Sequence, residues 1–171
     1  MFRTTSSTGI CPACQKNPFA PEIKQLSILF AKRIQTHYQA QELPKIFIPM
    51  PIHPLKMLYR GFNQSLIIAQ FMSGKLAGTE VKNSICIRKN FAKSQRFMSR
   101  KQRLKILATS FRINHRDEIQ GKSLALIDNV VTTGSTANAA TESLLNAGAK
   151  SVDLWCIAKT SWHNGSGSIK M

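Results

Sequence analysis

The stretch LALIDNVVTTGSTANAA, residues 124–140, contains the pattern on which the fold prediction rests. Four apolar residues run without interruption into the acid Asp128, and small hydroxyl-bearing residues with one glycine follow soon after. An apolar run without polar alternation is typical of a strand that is covered on both faces in a parallel sheet. The alanine-rich residues that come next have the spacing of an amphipathic helix. We therefore predict a strand over residues 123–128, a tight turn, and a helix over residues 136–148.

The turn between this strand and this helix is predicted to bind a phosphate. The first backbone N–H groups of a helix have no acceptor inside it, and the helix dipole favours an anion there. Hydroxyl groups add donors, glycine permits close approach of a ligand, and an acid beside the turn can accept hydrogen bonds from a ribose diol. The alternative is a threonine-rich helix cap without a ligand. The candidate ribose-phosphate residues are Asp128, Asn129, Thr132, Thr133, Gly134, Ser135 and Thr136.

Strands and helices alternate along the rest of the chain, which predicts one α/β domain over residues 21–160 with a parallel sheet. A segment of irregular structure, residues 1–20, precedes it, and a flexible tail, residues 161–171, follows. Periodicity and breakers place the remaining elements as helices over 21–39, 64–76 and 102–108, strands over 45–48, 81–90 and 151–160, and a loop over 91–101. Ligands of such sheets bind at the carboxyl ends of the strands.

Composition restricts the class of protein. The 171 residues are 43% hydrophobic, enough for a core, and no apolar run reaches about 18 residues, so we expect no membrane span. The N-terminus has no apolar signal region, and Cys86 and Cys156 stand alone in apolar stretches, which favours a reducing cytoplasm.

The net charge is +16, and residues 81–116 contain eleven positive side chains and no acid. Such a segment attracts polyanions. A phosphate-rich ligand, a nucleic acid and a merely solvated basic face remain open as explanations.

Four stretches together resemble one known family. LALIDNVVTTGST is similar to the phosphoribosyl pyrophosphate signature of phosphoribosyltransferases, and IPMPIHPLKMLYRGFNQS resembles the P-x-P…R-G-F-N-Q segment of the ComF competence-protein family. The basic stretch over residues 88–114 resembles that family's flexible loop and the helix after it. The final stretch VDLWCIAKT resembles its last strand, especially in the GntX branch.

The resemblance implies a phosphoribosyltransferase-type fold, a parallel sheet flanked by helices, that binds phosphoribosyl pyrophosphate with Mg²⁺. It also implies a role in DNA uptake during natural competence or in DNA utilisation, with single-stranded DNA and the uptake machinery as possible partners. The turn over 132–136 would hold the 5-phosphate. A pyrophosphate loop would follow Ile48, with Pro51, His53, Arg60, Asn63 and Gln64 in or close to it. A basic loop that closes over the site would contribute Arg96, Arg100, Lys101 and Arg103.

Two departures from the family pattern bear on function. Asn129 stands where the signature has a second acid, and Thr132 stands where purine-salvage relatives carry an aspartate, so the turn offers no general base. At the N-terminus, Cys11 and Cys14 form one C-x-x-C pair where the family has two, which leaves an incomplete cysteine knuckle and makes zinc doubtful. Two functions stay open: a binding protein that acts on DNA import, and an active phosphoribosyltransferase with an unknown acceptor.

Overall fold

The structure is a computed structural model that describes residues 4–6, 21–38, 42–89 and 109–159. The chain forms seven described strands and four described α-helices, and a 3₁₀-helix over Arg116–Glu118. In chain order these are β1 (Thr4–Ser6), α1 (Pro21–His37), β2 (Ile46–Pro49), α2 (Pro54–Arg60), α3 (Gln64–Ser73), β3 (Glu80–Val81), β4 (Cys86–Arg88), β5 (Phe111–Ile113), β6 (Ser123–Val131), α4 (Ser135–Asn146) and β7 (Ser151–Lys159).

Five strands form one parallel sheet in the order β1-β7-β6-β2-β3. The central strand β6 pairs with β2 on one side and β7 on the other, so that Leu124 lies opposite Ile46 and Asp128 lies opposite Cys156. Helices cover both faces. The predicted α/β class, a parallel sheet flanked by helices, is thus confirmed.

The apolar run of β6 divides its side chains between two cores. Leu124 and Leu126 pack with the buried face of α4, whereas Ala125 and Ile127 pack with α1 and α3. All four are fully buried. Because both faces of the strand are covered, the sequence needs no polar alternation here. Asp128 is the first polar side chain after the run, and it is still paired with Cys156 of β7.

The end of α1 is fastened to β7 through an aromatic cluster. Trp155 is fully buried, packs edge-on against Phe47, and donates a hydrogen bond from Nε1 to the Tyr38 hydroxyl at 3.3 Å. That hydroxyl in turn donates to the Asp153 carboxylate. Trp155 therefore belongs to the core.

The predicted single strand over residues 81–90 is wrong. The chain bends after β3, and β4 leaves the main sheet to pair antiparallel with β5. Asn114 closes this second sheet, since its backbone N–H donates to the carbonyl of Ile85 at 2.9 Å. The alternating pattern identified extended backbone correctly, but the strand partner lies more than twenty residues further along the chain and leaves no mark on the local pattern.

β1 and α2 were not predicted either. β1 lies within the segment expected to be irregular and pairs with β7, so that expectation is wrong for Thr4–Ser6. α2 was missed because prolines were interpreted only as strand breakers. Pro54 occupies the first turn of this helix, where a missing N–H does no harm, and Gly61 ends it at φ 75°.

The bounds of the predicted elements shift by a few residues. β6 continues to Val131 and α4 begins at Ser135, so the turn between them is only three residues long. Predictions for the basic loop, the short helix after it, the cysteine pair and the tail concern residues outside the described ranges. Among the described residues, no helix combines the length and the apolar character needed to cross a bilayer.

We expect Leu126→Ala to lower the free energy of unfolding by about 2–5 kcal/mol, because truncating a fully buried leucine leaves a cavity in the core under α4. Leu145→Ala on the exposed side of α4 is the matched control and should change it by less than about 0.5 kcal/mol. Urea unfolding followed by circular dichroism measures both. Equal losses for the two variants would contradict the described burial of β6.

Candidate functional site

A cleft of about 190 Å³ lies at the carboxyl end of β6, between that strand and the start of α4. Six of the seven predicted ribose-phosphate residues line it. We call it the β6 cleft and define it by its full lining: Met50, Lys56, Arg88, Asp128, Val130, Val131, Thr132, Thr133, Gly134, Ser135, Thr136 and Ala137.

The turn at the start of α4 has the geometry of an anion site. The first backbone hydrogen bond of α4 runs from Asn138 N–H to the Gly134 carbonyl at 2.8 Å, so the preceding N–H groups of the first turn have no acceptor inside the helix. Thr133 Oγ1 lies 3.1 Å from Ser135 Oγ, and Thr132 is exposed. Donors and the positive end of the helix dipole therefore converge on the cleft.

Glycine is required in this turn by backbone conformation. Gly134 has φ 74°, a left-handed value that side chains with a Cβ rarely adopt. A Cβ placed there would come no closer than 3.9 Å to Asn138 or Val131. The surrounding protein therefore has room for a methyl group, and backbone strain is what excludes other residues.

Asp128 is held at the base of the cleft by α3 and by its own backbone. Its Oδ1 accepts a hydrogen bond from Ser65 Oγ at 3.2 Å and one from the Asn129 N–H at 2.8 Å. Burial raises the pKa of this carboxyl to about 6, and the two hydrogen bonds act in the opposite direction without cancelling the effect. Asp128 is therefore about half ionised near pH 6 and mostly ionised at neutral pH.

Asn129 does not line the cleft but joins a hydrogen-bonded chain beside it. Its Nδ2 donates to Gln64 Oε1 at 2.6 Å, and its Oδ1 accepts from the Val130 N–H at 2.8 Å. Arg60 Nη1 donates weakly to the same Gln64 oxygen at 3.4 Å. The predicted residues Arg60, Gln64 and Asn129 are thus brought together by hydrogen bonds, although none of the three lines the cleft.

The residues of the β6 cleft supply only some of the ligands that a magnesium ion needs. Asp128 is the one carboxylate among the lining residues of the cleft, the Asn129 oxygen is already engaged, and the described residues contain no group of three or more His, Cys, Asp or Glu side chains suited to a metal. Mg²⁺ commonly binds through one or two carboxylates together with substrate phosphates and water. The residues present therefore fit a magnesium ion only if phosphate groups outside the protein supply most of its ligands.

The other predicted pyrophosphate-loop residues shape the loop rather than line the β6 cleft. His53 Nδ1 accepts from the Leu55 N–H at 3.2 Å and caps α2. Asn63 caps α3 through Ser65 N–H at 3.0 Å, and its Nδ2 donates to the Met50 carbonyl at 3.0 Å. Pro51 and Asn63 line a neighbouring apolar cleft.

Two cations of the β6 cleft were not singled out from the sequence. Lys56 belongs to α2, and Arg88 ends β4 with its guanidinium 6.0 Å from the centre of the Phe111 ring. Burial lowers the pKa of Arg88 from its usual value. Arg88 was counted within the basic segment, but Lys56 could be placed only once α2 was known, since Lys56 and Arg60 share one face of that helix. The predicted loop residues Arg96, Arg100, Lys101 and Arg103, and the candidate zinc ligands Cys11 and Cys14, lie outside the described residues.

Sequence comparison relates the chain to proteins that are named for DNA utilisation or competence. No protein-family model matches it. It is 32% identical over 135 residues to the DNA utilization protein YhgH of Shigella flexneri, covering 79% of this chain and 56% of that protein. It is also 32% identical over 135 residues to competence protein F of Haemophilus influenzae, covering 78% and 57%. The matched region belongs to the ComF family. The chain spans little more than half the length of these ComF relatives.

Structural comparison gives the fold. A purine phosphoribosyltransferase from Pyrococcus horikoshii superposes with a TM-score of 0.53 over 95% of this chain and 82% of that one, at 15% identity. A hypoxanthine phosphoribosyltransferase from Trypanosoma cruzi gives 0.51 over 87% and 70%, at 14% identity. This ComF-family chain thus has the phosphoribosyltransferase fold, as its sequence predicted.

We expect Asp128→Asn to raise the stability of the fold at about pH 8. A pKa raised from 3.8 to about 6 means that the folded state favours the protonated carboxyl. Its stabilising contribution is complete below pH 3.8 and is lost as the pH rises through about 6, at a cost of at most about 3 kcal/mol. Asparagine does not ionise, so the gain should vanish in acid. Urea unfolding at several pH values measures it, with the exposed Asp117→Asn as control. A gain independent of pH would contradict the buried-carboxylate account.

Proposed function

We propose that this chain binds phosphoribosyl pyrophosphate in the β6 cleft and acts in DNA uptake or DNA utilisation. The observation that carries the proposal is the juxtaposition of an acid after a buried apolar run with hydroxyls and with N–H groups that have no acceptor inside α4. The relatives' names and the phosphoribosyltransferase fold support the same conclusion.

Each part of the ligand has a matching group in the cleft. The 5-phosphate binds the first turn of α4, with hydroxyl donors from Thr133 and Ser135. The ribose hydroxyls donate to ionised Asp128, so affinity should fall as the pH drops below about 6. The pyrophosphate lies toward Lys56 and Arg88, the two cations of the cleft. Mg²⁺, when bound, would supply charge neutralisation between the pyrophosphate and Asp128.

Transfer of the phosphoribosyl group to an acceptor is the alternative function. Thr132 offers no base, and Asn129 is engaged with Gln64. Any transfer would therefore depend on positioning and electrostatic stabilisation. These features favour the role of a binding protein over that of an enzyme, and product analysis with candidate acceptors distinguishes the two.

The net charge supports a polyanionic partner in addition to the small ligand. With +16 overall, we expect weak binding of single-stranded DNA that falls steeply with salt, because neutralised phosphates release counterions. The basic loop with Arg96, Arg100, Lys101 and Arg103 remains the predicted contact region.

We expect Thr133→Val to weaken phosphoribosyl pyrophosphate binding about tenfold or more, because a hydrogen bond to a charged phosphate contributes about 1.5–3 kcal/mol. Gly134→Val should abolish binding, since it adds both bulk and strain at φ 74°. Thr36→Val on the exposed surface of α1 is the matched control for loss of a threonine hydroxyl. Isothermal titration calorimetry with and without Mg²⁺ measures all three. Unchanged affinity in folded Thr133 and Gly134 variants would sink the assignment of the turn.

Asn129→Asp tests the role of the missing second acid. The substitution places a carboxylate against the Gln64 oxygen that now accepts from Asn129, and it adds charge beside Asp128. Affinity should therefore not improve without Mg²⁺ but should improve with it, by about 1 kcal/mol. Asn146→Asp adds the same charge at the far end of α4 and is the control. An equal gain with and without the metal would contradict the metal argument.

A further inference from the structure

The amino edge of the parallel sheet has a cleft of its own, at the opposite end of β6 from the β6 cleft. Its volume is about 250 Å³. Three of the nine residues that line it are lysines and one is an acid, so its lining is positively charged. We call it the amino-edge cleft and define it by its lining: Glu42, Leu43, Pro44, Lys45, Ile46, Gly121, Lys122, Ser123 and Lys150.

The three lysines come from three adjacent strands. Lys45 directly precedes β2, Lys122 directly precedes β6, and Lys150 directly precedes β7. These strands are neighbours in the sheet, in the order β7-β6-β2. Because neighbouring strands lie about 4.8 Å apart, the lysines start from a row of backbone roughly 10 Å wide.

Backbone hydrogen bonds hold this row in place. The Lys150 N–H donates to the Lys122 carbonyl at 2.9 Å, and the Glu80 N–H donates to the Lys45 carbonyl at 2.8 Å. The three lysines are thus positioned by the start of the sheet, and their common direction into one cleft follows from the strand pairing.

No acid neutralises the three lysines by an ion pair. Among the described residues, the ion pairs with acids are those of Lys82 and His115. Lys122 lies within electrostatic range of Glu118, but Lys82 already binds that carboxylate at 2.7 Å. Like charges on neighbouring strands repel each other. A row of exposed lysines without counter-charges therefore favours a ligand that carries several negative charges.

We propose that Lys45, Lys122 and Lys150 bind the phosphate backbone of single-stranded DNA, at a site separate from the β6 cleft. The relatives' names, DNA utilization protein and competence protein, favour DNA among the polyanions. For that identity alone the inference rests on the proposed function. The row of cations itself stands on the geometry of the sheet.

The donors of the amino-edge cleft suit an extended polyanion better than one small phosphate. A single phosphate is cradled by backbone N–H groups that have no other acceptor, as at the start of α4. In the amino-edge cleft the Gly121 N–H donates to the Gly148 carbonyl at 2.8 Å, and the Lys150 N–H is engaged by Lys122. The lysines instead offer ammonium groups on long side chains along a row, which match successive phosphates of a strand.

The contact should be independent of DNA sequence. No aromatic side chain lines the amino-edge cleft, so bases have no ring there on which to stack. Contacts to phosphates position a protein on a nucleic acid but do not read its bases. Oligothymidylate is therefore a sufficient probe.

The two clefts lie too far apart to act as one site. β6 is nine residues long, so its two ends are roughly 30 Å apart at about 3.3 Å per residue. That is about three times the distance of about 10 Å over which exposed charges interact in 0.1 M salt. Loss of the three lysines should therefore leave the affinity of the β6 cleft for phosphoribosyl pyrophosphate unchanged.

Fluorescence anisotropy of labelled oligothymidylate, measured with the full chain at several salt concentrations, tests the site. The triple variant K45Q/K122Q/K150Q should flatten the slope of log affinity against log salt by about two units, since each contact to a single strand contributes about 0.7. The matched control removes the same charge at three exposed lysines elsewhere, and its slope should stay unchanged: Lys24, Lys32 and Lys75. A slope that changes equally in both triple variants, or in neither, overturns the site.

Thermal unfolding shows whether the triple variants are folded. If K45Q/K122Q/K150Q does not fold, the single variant Lys122→Gln replaces it in the test and should flatten the slope by about 0.7. An unchanged slope in folded Lys122→Gln then overturns the site.

Calorimetric titration with phosphoribosyl pyrophosphate separates this inference from the proposed function. A chain that does not bind this ligand but shows the flattened slope contradicts the proposed function of the β6 cleft while the amino-edge site stands. A chain that binds this ligand but no oligothymidylate at low salt overturns the amino-edge site and leaves the β6 cleft intact. Loss of the ligand's affinity in the folded triple variant overturns the separation of the two sites.

Sedimentation with phosphatidylglycerol vesicles tests a membrane surface as the source of the phosphates. We expect vesicle binding to be equal in the triple variant and its matched control. Vesicle binding that only K45Q/K122Q/K150Q loses, with an unchanged salt slope for oligothymidylate, identifies a lipid contact and overturns the DNA site.

Discussion

Burial of β6 on both faces is the constraint from which the site follows. Over Leu124–Ile127 the strand has no freedom to expose a side chain, so Asp128 is the first polar group after this run and is poorly solvated. Its raised pKa is the electrostatic consequence of a position that the core imposes. The turn between Val131 and Ser135 is only three residues long, so α4 begins close to the end of β6. The N-terminus of α4 therefore lies beside the Asp128 carboxyl group.

Two distant segments of sequence meet at this strand end. The start of α3 contributes Ser65 to Asp128 and Gln64 to Asn129, which are more than sixty residues away along the chain. An asparagine suits position 129 because its amide N–H₂ donates a hydrogen bond to Gln64, whereas an ionised carboxylate has no hydrogen to donate. The departure from the family signature therefore has a structural complement in Gln64.

The sequence predicted what depends on local pattern and missed what depends on distant partners. The run Leu124–Ile127 and the helical spacing of the alanines in α4 are local signals, and the structure agrees with both. The splitting of residues 81–90 between two sheets depends on β5, far along the chain, and no local period encodes it. α2 did have local signals, Pro54 and Gly61, but prolines were weighed only as breakers. Because α2 was not predicted, Lys56 was not recognised as a candidate site residue.

The charges of the β6 cleft bear both on its stability and on the ligand that we propose for it. Lys56 and Arg88 bring two positive charges to a space whose lining has one acid, and burial works against ionisation of that acid. Without ligand, Asp128 is mostly protonated below about pH 6, and the two cations then have no counter-charge in the lining. A ligand that carries phosphates at one end and hydroxyl donors in the middle offsets both conditions, because its anions face the cations while its hydroxyls bond to the ionised carboxylate.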